Sequence, residues 1–261
     1  MFDLVTEALK REDGEGKLTV RPGADFQSGM PAGPVPSIVP LAGQFGLQLR
    51  QVSREDGLAP WPRVLSRATE WAFSLAVLLA ALPLLLFFAA LIKLDTSGPA
   101  LFFQQRVGKD GRPFTFVKFR TMYADARERF PELYAYKYDD VDKIAFKVKD
   151  DPRRTPIGRF LRRTTIDELP NFWNVVTGDM ALVGPRPEIF EMLPYYKGDD
   201  LIKFKVKPGI TGMAQTYGRG NLTFRETVDL DVKYVRERSF LLDISILVRT
   251  VIMVVAGRGA F

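Results

Sequence analysis

The sequence predicts an α+β, mostly helical protein held at a membrane by a single apolar helix, and three observations carry that expectation. Residues 71–92, WAFSLAVLLAALPLLLFFAALI, run 22 positions without a charge, enough at about 1.5 Å per residue to match a hydrocarbon layer of roughly 30 Å. Apolar and β-branched stretches on both sides of GKDGRP, within residues 100–119, read as one small β-hairpin, because that hexapeptide is a strong turn signal. The segments IGRFLRRT, IDELPNFWNVV and FLLDISILVRTVIMVVAG read instead as helices.

In chain order, residues 1–63 form an extension. Residues 4–11 have room for a helical turn or two, but between Arg21 and Arg63 there are 13 Gly or Pro in 43 positions, a composition that does not sustain regular elements. Residues 64–98 hold the membrane helix, with Trp61 and Trp71 placed where indoles favour the head-group layer. Pro83 sits in its middle and predicts a kink or break into two arms, neither long enough to span alone. Arg50, Arg54, Arg63 and Arg67 precede the run and Lys93, Arg106, Lys109, Arg112, Lys118 and Arg120 follow it. Positive charge on both sides suits a helix that dips in and returns, while a single tilted span is the competing reading. Residues 99–261 form the remaining domain: the hairpin, a helix over 123–129, a loop marked by Asp150, Asp151, Pro152 and Pro156, a helix with Ile157, Phe160 and Leu161 on one face, a turn at Thr164, and a helix from Asp167 or Glu168 to Val176. The C-terminal apolar stretch contains Asp243 and Arg249, so it is expected to lie in the membrane interface or pack on the domain rather than span.

Charge is unevenly divided. Residues 1–60 carry a net −2 and the rest a net +8, so the basic part adjoins the apolar run. That suits anionic head groups or phosphorylated substrates, and no nucleic-acid module is present to favour the alternative. The chain contains neither Cys nor His, which removes disulfides, thiolate nucleophiles, common zinc ligands and imidazole catalysis. Residues 2–17 are acidic and polar and do not read as a signal peptide.

The densest cluster of reactive types is RRTTIDELPNFWNVVTGDMALVGPRPE. Asp167 and Glu168 are adjacent, and neighbours on a regular helix point about 100° apart, so they share a substrate only near a helix end. Pro170 supports such an end, where free backbone N–H groups favour phosphate. The plainer reading is that Asp167 is an N-cap, or that Thr165 and Glu168 form a capping box, and acidic residues at helix starts are most often caps. Cations tilt the balance: Arg162, Arg163 and Arg186 lie nearby in sequence, and Lys118 and Arg120 come from KFRTM. Gly184 and two prolines would present Arg186 from a rigid turn. Two carboxylates, several cations and no histidine put phosphoryl transfer within reach, with a carboxylate attacking phosphorus and Mg²⁺ offsetting the repulsion between anions.

From Leu82 onward the chain resembles the monotopic phosphoglycosyl transferases, bacterial sugar transferases that act on a polyprenol carrier. The likeness rests on LPLLLFFAALIKLDTSGPALFFQQRVG, KFRTM, DDPRRTPIGRFLRRTTIDELPNFWNVVTGDMALVGPRPE, KPGITGMAQTYGRG and YVRERSFLLDISILVRT. It implies transfer of a sugar 1-phosphate from a UDP-sugar to undecaprenyl phosphate with release of UMP, at the cytoplasmic face of a bacterial inner membrane. It further implies Asp167 as nucleophile and Mg²⁺ contact, Glu168 beside it, and Lys118, Arg120, Arg162 and Arg186 holding phosphates. The apolar helix would re-enter the leaflet at Pro83. PGITGMAQTYGRG looks like a substrate loop with Gln215 and Arg219 near the substrate, or else a structural turn cluster. Two positions depart from the family: Leu82 stands where Ser often precedes the proline, and Asn171 where Gln often follows DELP. The alternatives are a non-catalytic membrane-surface adaptor and a nucleotide-sugar hydrolase. The sugar and the oligomeric state, a homo-oligomer included, stay open.

Overall fold

The computed structural model describes residues 60–136, 138–145, 150–218 and 222–256, with backbone alone for 60–66. The N-terminal extension up to residue 59, the Trp61 side chain and Arg219 lie outside the described residues.

Helix α1, Pro60–Asp95, starts with prolines in its first turn, where their missing N–H groups cost nothing. Its segment Arg67–Asp95 is the one helix among the described residues long and apolar enough to cross a membrane. The assignment is unbroken through Pro83. An outright break into two arms is therefore not what the chain does, because apolar helix formers on both sides keep the remaining backbone bonds. One side of α1 rests on the domain, with Ser74, Phe88 and Ile92 buried, while Trp71, Leu79, Leu82, Leu86, Phe87 and Leu94 are exposed.

The expected hairpin forms from β1, Leu101–Val107, and β2, Pro113–Phe119, antiparallel with Leu101 opposite Phe119 and Val107 opposite Pro113. The turn bends through left-handed backbone at Asp110 and Gly111. On β2, Phe114, Phe116, Val117 and Phe119 are buried. A single short turn follows as α2, Ala126–Arg129.

Helix α3, Pro156–Thr164, is capped by the Thr155 hydroxyl, which accepts from Gly158 N at 2.9 Å. It ends at Thr165, whose φ of +61° lies in the left-handed region. The chain then makes a 3₁₀ turn, Ile166–Asn171, before α4, Phe172–Val176. The continuous helix expected from Asp167 to Val176 is thus split: Pro170 has no N–H to give and the tighter turn accommodates it.

A second sheet, not foreseen from the sequence, pairs β3, Ala181–Val183, in parallel with β4, Gly209–Thr211. Gly184 and Gly209 let the strands meet closely, since a Cβ on Gly209 would collide with the Gly184 backbone. Helices α5, Met213–Gly218, α6, Phe224–Glu237, and α7, Phe240–Val255, complete the domain. Asp243 and Thr250 of α7 face the domain, while Arg249 is exposed but covers a neighbouring ring. Asp243 Oδ1 accepts from the Tyr234 hydroxyl at 2.7 Å, Arg249 stacks over Tyr217 at 4.2 Å, and the Thr250 and Thr211 hydroxyls meet at 2.7 Å. Phe240, Leu241, Ile244, Val248, Val251, Ile252 and Val255 are left exposed on the other side.

Candidate active site

The acidic pair sits where three elements converge. The 3₁₀ turn packs on β2, and α4 behind it is tied to the same strand by one side chain. Asn174 Oδ1 accepts from Val117 N at 3.2 Å and Asn174 Nδ2 donates to Thr115 O at 2.7 Å, so its amide continues the hydrogen-bonding edge of β2. The left-handed Thr165 turns the chain sharply between α3 and this turn. Such conformations are costly for non-glycine residues and collect at functional positions.

Asp167 is buried, 4% exposed. Among the described residues its carboxylate accepts no hydrogen bond, and the turn has no side-chain cap, with Thr165 rather than Asp167 in the cap position. The capping readings therefore fail for this residue. Burial, followed by the neighbouring Glu168 charge, raises its pKa from 3.8 to about 6 against the pull of Lys118, Arg162 and Arg186. Burial disfavours the charged form of a carboxyl that has no ion pair, and a strongly perturbed group in such a setting is a functional candidate.

Glu168 does have a partner: Arg186 Nη2 lies 3.0 Å from its Oε1. The Glu168 charge is the main cause holding the Arg186 pKa above its ordinary value. Arg186 is aimed by the backbone around it. Gly184 N donates to Thr211 O and Gly209 N donates to Pro185 O, both at 2.9 Å. On the other side Arg106 Nη1 donates to Pro187 O at 3.1 Å, and Val107 N donates to Glu188 O at 2.8 Å.

Lys118 and Arg162 complete the cationic surround. Burial first, then the like charge of Arg162, lowers the Lys118 pKa to about 7, while Asp167 opposes the fall. Burial also lowers Arg162, again opposed first by Asp167. Arg106 belongs with them although the sequence marked it only as a flanking charge. It is lowered to about 10, chiefly by burial, and its guanidinium lies 5.4 Å over the Phe116 ring. The signal available was its spacing in QQRVG, on the strand that pairs with β2.

Arg120 is not brought to this cluster. Its guanidinium donates to Ser97 O, Thr96 O and Ile92 O, the carbonyls that end α1. Gln215, on α5, is buried beside Gly212, and neither atom of its amide finds a partner among the described residues. Asn171, 1% exposed, likewise has an unpartnered Oδ1.

A divalent cation would find few protein ligands. Among the described residues no group of three or more acidic residues could hold a metal. Mg²⁺ nevertheless suits this donor set, because it commonly takes one or two carboxylates together with phosphate oxygens and water. The unpartnered Asp167 carboxylate is free to serve.

Residues 61–257 match the family model for bacterial sugar transferases. The galactosyl transferase CpsE of Streptococcus agalactiae is 46% identical over 164 residues, covering 62% of this chain and 36% of that protein. The undecaprenyl-phosphate galactose phosphotransferase of Salmonella typhimurium is 38% identical over 206 residues, 76% of this chain and 42% of its own length. The uncharacterized sugar transferase EpsL of Bacillus subtilis is 37% identical over 196 residues, 75% of this chain and 90% of EpsL. The chain thus spans well under half of the first two relatives but nearly all of the third. With a family match over most of its length, and the acidic pair and its cations inside the matched region, the chain belongs to the bacterial sugar transferase family.

Proposed function

We propose that this protein transfers a hexose 1-phosphate from a UDP-sugar to undecaprenyl phosphate and releases UMP. The observation that carries the reading is the buried Asp167 carboxylate, without a hydrogen-bond partner and surrounded by Lys118, Arg162 and the Arg186–Glu168 pair. An Asp167 oxygen attacks the phosphorus bonded to the sugar, the bridge to the second phosphate breaks, and UMP leaves with the bridging oxygen. An oxygen of the lipid phosphate then attacks the same phosphorus, the bond to Asp167 breaks, and the carboxylate is restored. Lys118, Arg162 and Arg186 offset the charge that builds on the phosphoryl oxygens. Glu168 holds Arg186 in place. Mg²⁺, when bound, would supply further charge neutralisation at the diphosphate, with Asp167 as the protein contact.

The membrane reading is that α1 enters and leaves on the cytoplasmic face of the inner membrane, bending at Pro83, with α7 in the interface. The residues flanking the apolar run of α1 on both sides hold the same domain: Glu70 Oε1 accepts from Leu182 N at 3.2 Å and Asp95 Oδ2 from Ile157 N at 3.3 Å. A straight helix between those positions is about 37 Å long, so a crossing would carry one attachment to the far side of the bilayer. The exposed apolar row on α7 supports interfacial placement. A site held there meets a soluble nucleotide sugar and a lipid phosphate together.

The experiment is UMP release by the membrane-embedded chain with Mg²⁺, undecaprenyl phosphate and a panel including UDP-galactose and UDP-glucose, wild type beside Asp167→Asn. Release that needs the lipid and vanishes in the variant is expected. Release independent of lipid indicates hydrolysis, and none across the panel favours a non-catalytic role.

A further inference from the structure

Three carbonyls at the end of α1 converge on one guanidinium. Arg120 Nη1 donates to Ser97 O at 2.6 Å, and Nη2 donates to Thr96 O at 2.9 Å and to Ile92 O at 3.5 Å. The carboxyl end of a helix carries partial negative charge, so a cation there gains hydrogen bonds and a favourable dipole. Thr96 O and Ser97 O lie just past the last helical residue, while Ile92 O also accepts from Thr96 N at 3.3 Å. Gly98 shapes the turn around it. Its φ of +111° is one that side-chain-bearing residues rarely adopt, and a Cβ there would lie 3.2 Å from Arg120 Nη1.

The elements gathered at this point carry two of the site cations, Lys118 and Arg162. Arg120 directly follows β2, whose Lys118 faces Asp167 electrostatically. Asp95 Oδ2 accepts from Ile157 N in the first turn of α3, the helix that carries Arg162. Between them, Phe88 and Ile92 of α1 share one buried cluster with Phe119 of β2 and Leu161 of α3. Each of the latter two is the sequence neighbour of a site cation. The guanidinium, the Asp95 bond and this apolar cluster together join the end of the membrane helix to β2 and α3, and the guanidinium supplies the polar tie between α1 and the end of β2.

We propose that Arg120 is a positioning residue: by latching β2 to the end of the membrane helix, it sets Lys118 and Arg162 at the depth where a lipid-borne phosphate arrives. This rests on the lipid-acceptor reading above. A nucleotide sugar reaches the site from water whatever the depth of α1, whereas a phosphate confined to the head-group layer does not. Disrupting the latch therefore impairs the lipid substrate selectively.

The test uses the full chain in lipid nanodiscs as wild type, Arg120→Gln, Arg120→Lys and Gly98→Ala, with KM measured separately for undecaprenyl phosphate and for the UDP-sugar. Arg120→Gln is expected to raise KM for the lipid by about tenfold or more, the scale of a lost charged hydrogen bond, while KM for the UDP-sugar stays within about twofold. Arg120→Lys should be intermediate, because one ammonium cannot bridge three carbonyls, and Gly98→Ala should reproduce the selective loss with the charge retained. A spin label on Leu94→Cys, introduced into a chain with no other cysteine, reports the depth of α1 without reference to turnover and should move in Arg120→Gln. A parallel rise of both KM values, an unchanged lipid KM or an unmoved label overturns the latch. If the wild type shows no lipid-dependent release, the proposed function fails while the label still decides the latch.

Discussion

Asp167 and Asp231 are two buried aspartates whose pKa values burial pushes up to about 6, yet their surroundings are opposite. Asp231, fully buried on α6, lies 3.2 Å from Lys203 Nζ. The same ammonium is 3.3 Å from Glu188 Oε2 and donates to the Tyr196 hydroxyl at 2.9 Å, and that hydroxyl donates to Glu188 at 2.6 Å. Asp167 has cations around it but, among the described residues, no ion pair of its own, whereas Asp231 holds one although neither of its oxygens completes a hydrogen bond. A raised pKa therefore does not separate scaffold from site. What separates them is whether the charge is already ion-paired, because a paired charge holds the fold whereas an unpaired one is available to a ligand.

The largest effect expected from this contrast is a double dissociation. Asp167→Asn should reduce lipid-dependent UMP release by at least about 10³-fold, with the melting temperature unchanged or raised. The sign follows from linkage. A carboxyl whose folded pKa exceeds its unfolded value weakens the fold as pH rises through the window from 3.8 to about 6, and asparagine removes that loss. Lys203→Met should do the reverse: it strands Glu188 and Asp231 as buried carboxylates and costs about 3–5 kcal/mol of stability, while the folded fraction keeps its turnover to within a few-fold. Denaturant titration beside the UMP assay reads both, and equal losses of stability and activity in the two variants would erase the distinction.

A smaller effect is expected at Arg186. Arg186→Lys keeps a charge but loses the planar group that meets Glu168 at 3.0 Å, so kcat/KM should fall by about 10²-fold, the scale of a misplacement near 1 Å. A double variant with Glu168→Gln should be less than additive if Glu168 acts by holding Arg186. Smaller again is the pH response. The kcat/KM of the wild type should climb as Asp167 ionises near pH 6 and decline as Lys118 loses its proton near pH 7. Lys118→Arg should shift the falling limb upward. The smallest change sought is only one of side: labels on Ala68→Cys and Leu94→Cys, both exposed positions, should react from the same face of sealed vesicles.

The same contrast marks how far the sequence could be read. The hairpin and α3 were legible because their signals are local: a turn hexapeptide, a Thr-Pro start and an apolar face. The acidic pair and Arg186 were legible because chemistry concentrates in one short stretch. The β3–β4 pairing was not, since nothing in ALV points to GIT some thirty residues away. Nor was the placement of Arg120, which reads as one more phosphate ligand in KFRTM until the end of α1 is seen to fold back onto it. Asp243 and Arg249 spoiled the apparent face of α7 for a similar reason, because their partners Tyr234 and Tyr217 come from other helices. The Lys203 network combines residues from four separate segments, each unremarkable alone.

The most direct test of the central claim is to mix the chain with UDP-sugar and Mg²⁺ in the absence of lipid, quench in acid, and sequence the peptide containing residues 164–171 by mass spectrometry. The account predicts a hexose phosphate adduct on Asp167 that disappears on adding undecaprenyl phosphate and never forms in Asp167→Asn. An adduct on another residue, or full lipid-dependent turnover by Asp167→Asn, would contradict it.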